Sequence, residues 1–271
     1  MSIASILNSA GYEVILITSK FCHNNKKYFK DSDFADFPYK VIKISAFPYF
    51  SNISILRIIS NITFGINLFC YFLFNKKKNS LFISAFPFVE ASIPIVLLKS
   101  KNDILLIDLQ DLWPESFSLS RNFQKLFPIN IFLTNIYLLL NKFIFINSDI
   151  LLSVSHNFVG HAIKYYKFNK FKASYVLYLG SEIPFRFEKK IIYKRLDKYS
   201  LKNFYIGYIG NVSKSYDLSE AIKFISNYNK KNKTSIGLKV VGYGDEVEKI
   251  KKCAFELSVK LIITGTLEYD K

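Results

Sequence analysis

Residues 204–213 read Phe-Tyr-Ile-Gly-Tyr-Ile-Gly-Asn-Val-Ser, and together with the helical pattern behind them they set the architecture. An aromatic and β-branched run that ends in glycine and small polar residues is a strand giving way to a turn. Over 218–229 (LSEAIKFISNYN), Leu218, Ile222 and Ile225 recur at the spacing of one helix face. A strand comes next at 238–241 (LKVV), a helix at 246–257 (EVEKIKKCAFEL) and a third strand at 260–264 (KLIIT). Strand–helix–strand–helix–strand is half of a doubly wound fold, with parallel strands because each connection is helical.

On the N-terminal side the same alternation runs through the first part of the chain. A helix over 3–9 ends at Gly11 and leads into the strand 13–18 (EVILIT), apolar on both faces as a buried parallel strand is. Further strands are expected at 40–45, 81–84, 104–109, 150–154 and 175–179, with helices in the gaps. Residues 183–203 are charged and without period, a connector between domains. The chain thus divides into an N-terminal Rossmann-like domain (1–182), a connector (183–203) and a partial C-terminal Rossmann-like domain (204–271). The first opens on a helix without the strand and glycine-rich turn that usually precede one, and the second holds half a sheet. Truncation at both ends is therefore the expectation.

Composition narrows the class. With 271 residues, 50% of them hydrophobic, the chain can bury a core without disulfides and is neither a miniprotein nor disordered. Cys22, Cys70 and Cys253 are widely spaced and match no zinc or disulfide pattern, which points to a reducing compartment, the cytoplasm. No basic n-region marks a secretory signal. Residues 62–74 (ITFGINLFCYFLF) are too short an apolar run to span a bilayer. Residues 129–146 have the length, but Asn130, Thr134, Asn135, Asn141 and Lys142 interrupt them, so core or membrane interface fits better. The net charge of +16 suggests an anionic partner, yet only four of the 37 basic residues are arginine, and lysine-rich, AT-biased coding accounts for part of it.

The most specific string is Asp108-Leu109-Gln110-Asp111-Leu112-Trp113-Pro114-Glu115-Ser116, placed where the strand 104–109 runs out. Two readings stand. In one, Asp111 caps a helix, Pro114 and Glu115 fill its first turn and Trp113 is a packing anchor. In the other, the string lines a ligand site, because open α/β sheets bind ligands outside the carboxyl ends of their strands. A metal on Asp108, Asp111 and Glu115 is disfavoured, since no histidine is near and the three would not converge once the strand turns.

Four later stretches share the order of a known family: Asn147-Ser148-Asp149-Ile150-Leu151-Leu152-Ser153-Val154-Ser155; Tyr178-Leu179-Gly180-Ser181-Glu182; the loop from Gly207 through Gly210-Asn211-Val212-Ser213-Lys214-Ser215 to Leu218; and Val240-Val241-Gly242-Tyr243-Gly244-Asp245 with Ile263-Thr264-Gly265-Thr266-Leu267. Together they make the chain resemble the retaining glycosyltransferases of family 4 (glycosyl transferases group 1), in their bacterial capsule and O-antigen polysaccharide form. The resemblance implies two Rossmann-like domains of the GT-B type and transfer of a sugar, with retention, from a nucleotide-diphosphate sugar to a lipid-linked saccharide. It implies no cofactor, no metal and no nucleic acid, and a site in the cytoplasm, peripheral on the inner face of the membrane, where helices near Phe69 and Tyr137 make contact.

Without a metal, the leaving diphosphate needs fixed donors: backbone N–H groups at a helix N-terminus and a basic side chain. The resemblance assigns Gly210, Asn211, Ser213, Lys214, Gly265 and Leu267 to the donor, with Gln110, Trp113 and Glu115 on the acceptor side. Asp111 and Lys214 are its catalytic candidates. There are departures. Asn211 replaces an arginine common after the glycine, Tyr216-Asp217 replaces a Lys-Gly pair, and Gln110 stands where relatives carry histidine or arginine. The two-glutamate donor motif expected after Gly265 is missing.

An inactive truncated remnant that keeps membrane or partner binding is the alternative, and a basic nucleic-acid-binding protein a distant third. Gly242-x-Gly244 alone reads as a strand-to-helix turn. His156 and His161, five apart, read as surface residues, and the sequons at Asn52 and Asn61 as incidental.

Overall fold

The computed structural model describes residues 3–23, 25–50, 54–114, 129–178, 204–213 and 216–267. The chain forms two compact units, Met1–Glu182 and Ile183–Lys271, both α/β with parallel sheets.

In the first unit, helix α1 (Ile3–Ser9) ends at Gly11, whose φ of 87° is left-handed and terminates the helix as its glycine was expected to. Strand β1 (Ile15–Ser19) pairs in parallel with β4 (Lys40–Ile44), Ile15 opposite Lys40 and Ser19 opposite Ile44. No crossover helix joins them. The connection is a short hairpin, β2 (Phe21–Cys22) and β3 (Lys27–Tyr28), and then a 3-10 turn at Asp31–Phe34. Strands β5 (Leu81–Phe86), β6 (Ile104–Leu109), β7 (Ile150–Ser153) and β8 (Ala173–Val176) form a parallel sheet in that order. The strand expected at 175–179 starts two residues earlier, because Ala173 to Val176 are the residues in register with Ile150 to Ser153 of β7.

Strand β6 is central, and its Leu105, Ile107 and Leu109 are fully buried. They pack among Phe86, Phe145 and Tyr166, whose rings lie 4.9–6.0 Å apart. Three helices lie side by side over this sheet: α2 (Ile55–Asn75) packs on α3 (Val89–Leu98), and α3 on α4 (Ile129–Asn147). Helix α5 (His156–Tyr165) runs between β7 and β8; on it His156 is exposed and His161 packs against Tyr165 and Tyr166.

The structure corrects the length of the first apolar helix. Ser54 caps it by accepting a hydrogen bond from the Arg57 backbone N–H, so the helix begins seven residues before the apolar run 62–74 and reaches 21 residues. It is long and apolar enough to cross a membrane by length and composition, although only 22% of its most apolar window is buried.

The second unit is β9 (Tyr205–Ile209), α6 (Leu218–Asn232), β10 (Gly237–Val241), α7 (Val247–Glu256) and β11 (Leu261–Ile263), with the parallel sheet order β11-β10-β9. Ile222 and Ile225 of α6 and Ile250 and Ala254 of α7 cover Leu238 and Val240 of β10. Helix α6 runs three residues past the expected stop at Asn229. Lys230 and Lys231 suit the negative end of the helix dipole, and Lys233 takes the left-handed conformation that ends it (φ 52°).

Candidate functional site

The two units each gather polar residues at the carboxyl ends of their strands, and each set is described by itself.

In the second unit the site is built by glycines. Gly210 comes after β9 with φ 154°, and Gly242 after β10 with φ 151°. A Cβ on Gly242 would overlap the Gly210 carbonyl oxygen, and one on Gly244 would overlap the Val212 carbonyl oxygen. The turns after β9 and β10 therefore interlock backbone on backbone, and only glycine permits the approach. Hydrogen bonds clamp them: Gly210 N–H donates to Val241 O and Val212 N–H to Tyr243 O, both at 3.0 Å. Gly265, after β11 with φ 74°, bridges to Gly242. Gly210, Asn211, Ser213 and Gly265 of the expected donor site are thus brought to one end of one sheet. Leu267 lies half exposed just beyond, and Lys214 lies outside the described residues.

The helix terminus differs from expectation. Asp217 caps α6, its Oδ1 accepting from the Ser219 N–H at 3.1 Å, and hydrogen bonding from Ser219, side chain and backbone, with the Lys249 charge beside it, holds its carboxyl below the usual range. The first-turn donor at this terminus already faces a carboxylate, to which Lys249 also reaches at 3.5 Å. Any anion-binding capacity of this corner falls to the turn at Asn211 and Ser213 ahead of the helix.

In the first unit the string 108–114 leaves β6 without forming a helix over its described residues. Asp108 is buried, and Gln110 Nε2 donates to its Oδ2 at 2.6 Å. Gln110 and Asp111 are exposed, and Asp111 Oδ1 accepts from the next backbone N–H, of Leu112, at 2.8 Å. Glu115 lies outside the described residues. Among the described residues no three His, Cys, Asp or Glu side chains come together as a metal site.

Trp113 is the residue of this string that joins a constellation. Its carbonyl oxygen accepts from Tyr166 Oη at 2.9 Å and from Asn141 Nδ2. Its ring packs edge-on against Tyr137, with centroids 5.4 Å apart, and carries the Arg57 guanidinium at 5.8 Å. Tyr137 Oη in turn donates to Glu90 Oε1 at 2.6 Å. Burial raises the Glu90 carboxyl above its ordinary value, and burial with the neighbouring Glu90 charge raises the Tyr137 phenol.

Beside this lies a basic group from the two preceding connections. His23 Nδ1 is hydrogen-bonded to Tyr49 Oη, and Lys26 Nζ sits 4.7 Å from the Tyr49 ring and donates to the His23 carbonyl oxygen. Burial first, and then the Arg57 charge, hold both His23 and Lys26 below their ordinary values. The loops after β1, β4, β5 and β6 thus converge His23, Lys26, Tyr49, Arg57, Glu90 and Trp113 at the carboxyl side of the parallel strands, where such folds bind ligands. Of these only Trp113 belongs to a motif legible in the sequence. The signal that could have found Arg57 is its place as one of four arginines, in the first turn of a helix at a β-to-α junction.

No family model matches the chain, and no curated protein matches it in sequence. The structure does find counterparts. A glycosyltransferase from Rickettsia africae superposes over 98% of this chain with a TM-score of 0.52 at 14% identity. The trehalose 6-phosphate synthase of Burkholderia multivorans does so over 80% with a TM-score of 0.50 at 10% identity. The fold is that of the GT-B glycosyltransferases, α/β with Rossmann-like units. At these identities the likeness is one of fold, and the chain spans 63% and 53% of the lengths of those two proteins.

Proposed function

We propose that this chain is the greater part of a glycosyltransferase that moves a sugar from a nucleotide-diphosphate donor to a lipid-linked saccharide acceptor. The observation that carries the reading is the interlocked turn at Gly210, Gly242 and Gly244, which holds Asn211 and Ser213 at the carboxyl end of the second sheet directly ahead of α6. A diphosphate needs such a fixed, close-approach backbone. Lys214, in the same turn by sequence, supplies the positive charge as the sugar–phosphate bond breaks and charge moves onto the leaving diphosphate. Gly265 and Leu267 lie on the nucleoside side of this turn.

On the first unit, Gln110, Trp113 and Glu115 belong to the acceptor side, with Asp111 contacting the acceptor or orienting its loop. The gathered cations Lys26 and Arg57 suit an acceptor that carries phosphate. The transfer is proposed to proceed with retention, without a metal, as a family 4 enzyme of capsule or O-antigen assembly would, in the cytoplasm at the inner membrane surface.

The test is titration of the chain with UDP, GDP and ADP by calorimetry, then transfer from radiolabelled nucleotide sugars to a membrane extract, with product anomeric configuration read by NMR. Micromolar-to-millimolar nucleotide binding that Lys214→Ala weakens about tenfold supports the reading. Absence of binding to all three nucleotides overturns it.

A further inference from the structure

In the turn after β9, some backbone groups are spent within the protein and others are left over. Gly210 N–H and Val212 N–H are both given to the turn after β10, at Val241 O and Tyr243 O. The carbonyl oxygens are held as well. Val212 O accepts from Glu246 N–H at 3.2 Å, Ser213 O from Tyr216 N–H at 3.0 Å, and Asn211 O from the side-chain hydroxyl of Tyr208 at 2.8 Å. Among the described residues the Asn211 and Ser213 N–H groups have no acceptor. The turn therefore offers donors at alternate residues while each carbonyl from 211 to 213 is already bonded. A backbone of that kind attracts an anion through its peptide dipoles.

Of these bonds, the one made by a side chain is that of Tyr208. Tyr208 is the penultimate residue of β9 and is partly buried against the core of the second unit. Its ring reaches forward across Gly210, where a Cβ would lie 3.0 Å from Tyr208 Oη and 3.3 Å from its Cζ. Glycine leaves room for the ring, and the hydroxyl meets the carbonyl three residues further along the chain. The peptide unit between Asn211 and Val212 is thus bonded at both ends, its oxygen by Tyr208 and its N–H by Tyr243 O. A flip of that peptide would break both bonds and turn a carbonyl oxygen toward an incoming phosphate. The Asn211 side chain lies over Gly244, its Oδ1 2.6 Å from where a Cβ on that glycine would stand.

We infer that Tyr208 is a positioning residue of the donor site, its hydroxyl fixing the Asn211–Val212 peptide so that the Asn211 and Ser213 N–H groups face the diphosphate. This rests on the proposed nucleotide-sugar reading and adds to it a residue that acts through the backbone of the turn.

The test compares Tyr208→Phe, which removes the hydroxyl and keeps the ring, with the control Tyr205→Phe at the other end of β9, both in the full chain. Amide NMR is recorded without ligand and with inorganic pyrophosphate. In the wild type, the Asn211 and Ser213 amide protons are expected to move downfield on adding pyrophosphate, and those of Gly210 and Val212 to stay. In Tyr208→Phe, amide exchange at Val212 should quicken about fivefold before any ligand is added, and pyrophosphate should bind about fivefold more weakly, which is what one hydrogen bond contributes. Exchange at Leu238 and Ile250, in the core of the unit, should not change, and Tyr205→Phe should match the wild type throughout.

Equal pyrophosphate affinity in Tyr208→Phe, or unchanged exchange at Val212, overturns the inference. Faster exchange spread evenly over Val212, Leu238 and Ile250 also overturns it, since that is the mark of a merely structural hydroxyl. A wild type that binds neither pyrophosphate nor UDP overturns the donor site itself. UDP binding at full strength in both the wild type and Tyr208→Phe leaves the glycosyltransferase reading standing and removes Tyr208 from it.

Discussion

The α-carbon of Gly242 lies so close to Gly210 that an added Cβ would overlap the Gly210 carbonyl oxygen. These two residues end neighbouring strands of the second unit, and the proposed diphosphate cradle rests on their contact. Gly242→Ala meets both a backbone clash and a φ of 151° that alanine resists, and should cost about 3 kcal/mol or more of unfolding free energy. Gly207→Ala, where a Cβ would meet nothing within 4 Å, should leave stability within about 0.5 kcal/mol. Urea titrations of the two variants make the comparison.

Asp217 should have opposite effects on folding and binding. Asp217→Ala removes the α6 cap and should cost about 1 kcal/mol. It also removes a negative charge next to the proposed cradle, so UDP should bind up to about threefold more tightly at low salt. Calorimetry and thermal melts on the same sample read both.

Asp103 anchors the turn before β6. It is buried, accepts from Lys76 Nζ at 2.7 Å and from the backbone N–H groups of Ser80 and Ser100 at 2.9 and 2.7 Å, and its carboxyl is held well below the ordinary range. A depressed folded-state value gives stability that is present above the unfolded value of about 3.9 and is lost as pH falls toward the folded one. Asp103→Asn should therefore destabilise the chain by about 3 kcal/mol at pH 7, a gap that narrows below about pH 4 in urea titrations run at each pH.

Glu90 should show the reverse. Its folded-state value is raised, so the stability it contributes is complete below about pH 4.3 and declines as pH rises toward the folded value. Glu90→Gln keeps an acceptor for Tyr137 and removes the buried charge, so it should match the wild type near pH 4 and exceed it by about 1 kcal/mol at pH 7.

The basic group beside Trp113 is testable by titration. Arg57 is one of the charges that lower His23, so in Arg57→Ala the His23 ring should titrate at higher pH than in the wild type. NMR of the imidazole resonances measures the shift. An unmoved midpoint would place Arg57 away from His23.

Residue spacing was enough to set the order and kind of the regular elements wherever a period was strong. The run 218–229 with Leu218, Ile222 and Ile225 on one face became α6, and EVILIT and LKVV became parallel strands, because burial of a helix stripe or of both strand faces is written directly in that spacing. Gly210, Asn211, Ser213 and Gly265 were singled out by the family resemblance, and each follows the end of a strand in the folded chain. Their roles depend on the folded chain. That Gly242 locks against Gly210, that Asp217 occupies the α6 terminus, and that Arg57, Glu90 and Tyr137 meet at Trp113 are contacts between segments far apart in the chain, and no local period encodes them. The same holds for α2. Its sequence carries apolar residues on more than one side, and only its packing on α3 settles that Leu68 and Phe72 are buried while Ile59, Ile62 and Ile66 stay exposed.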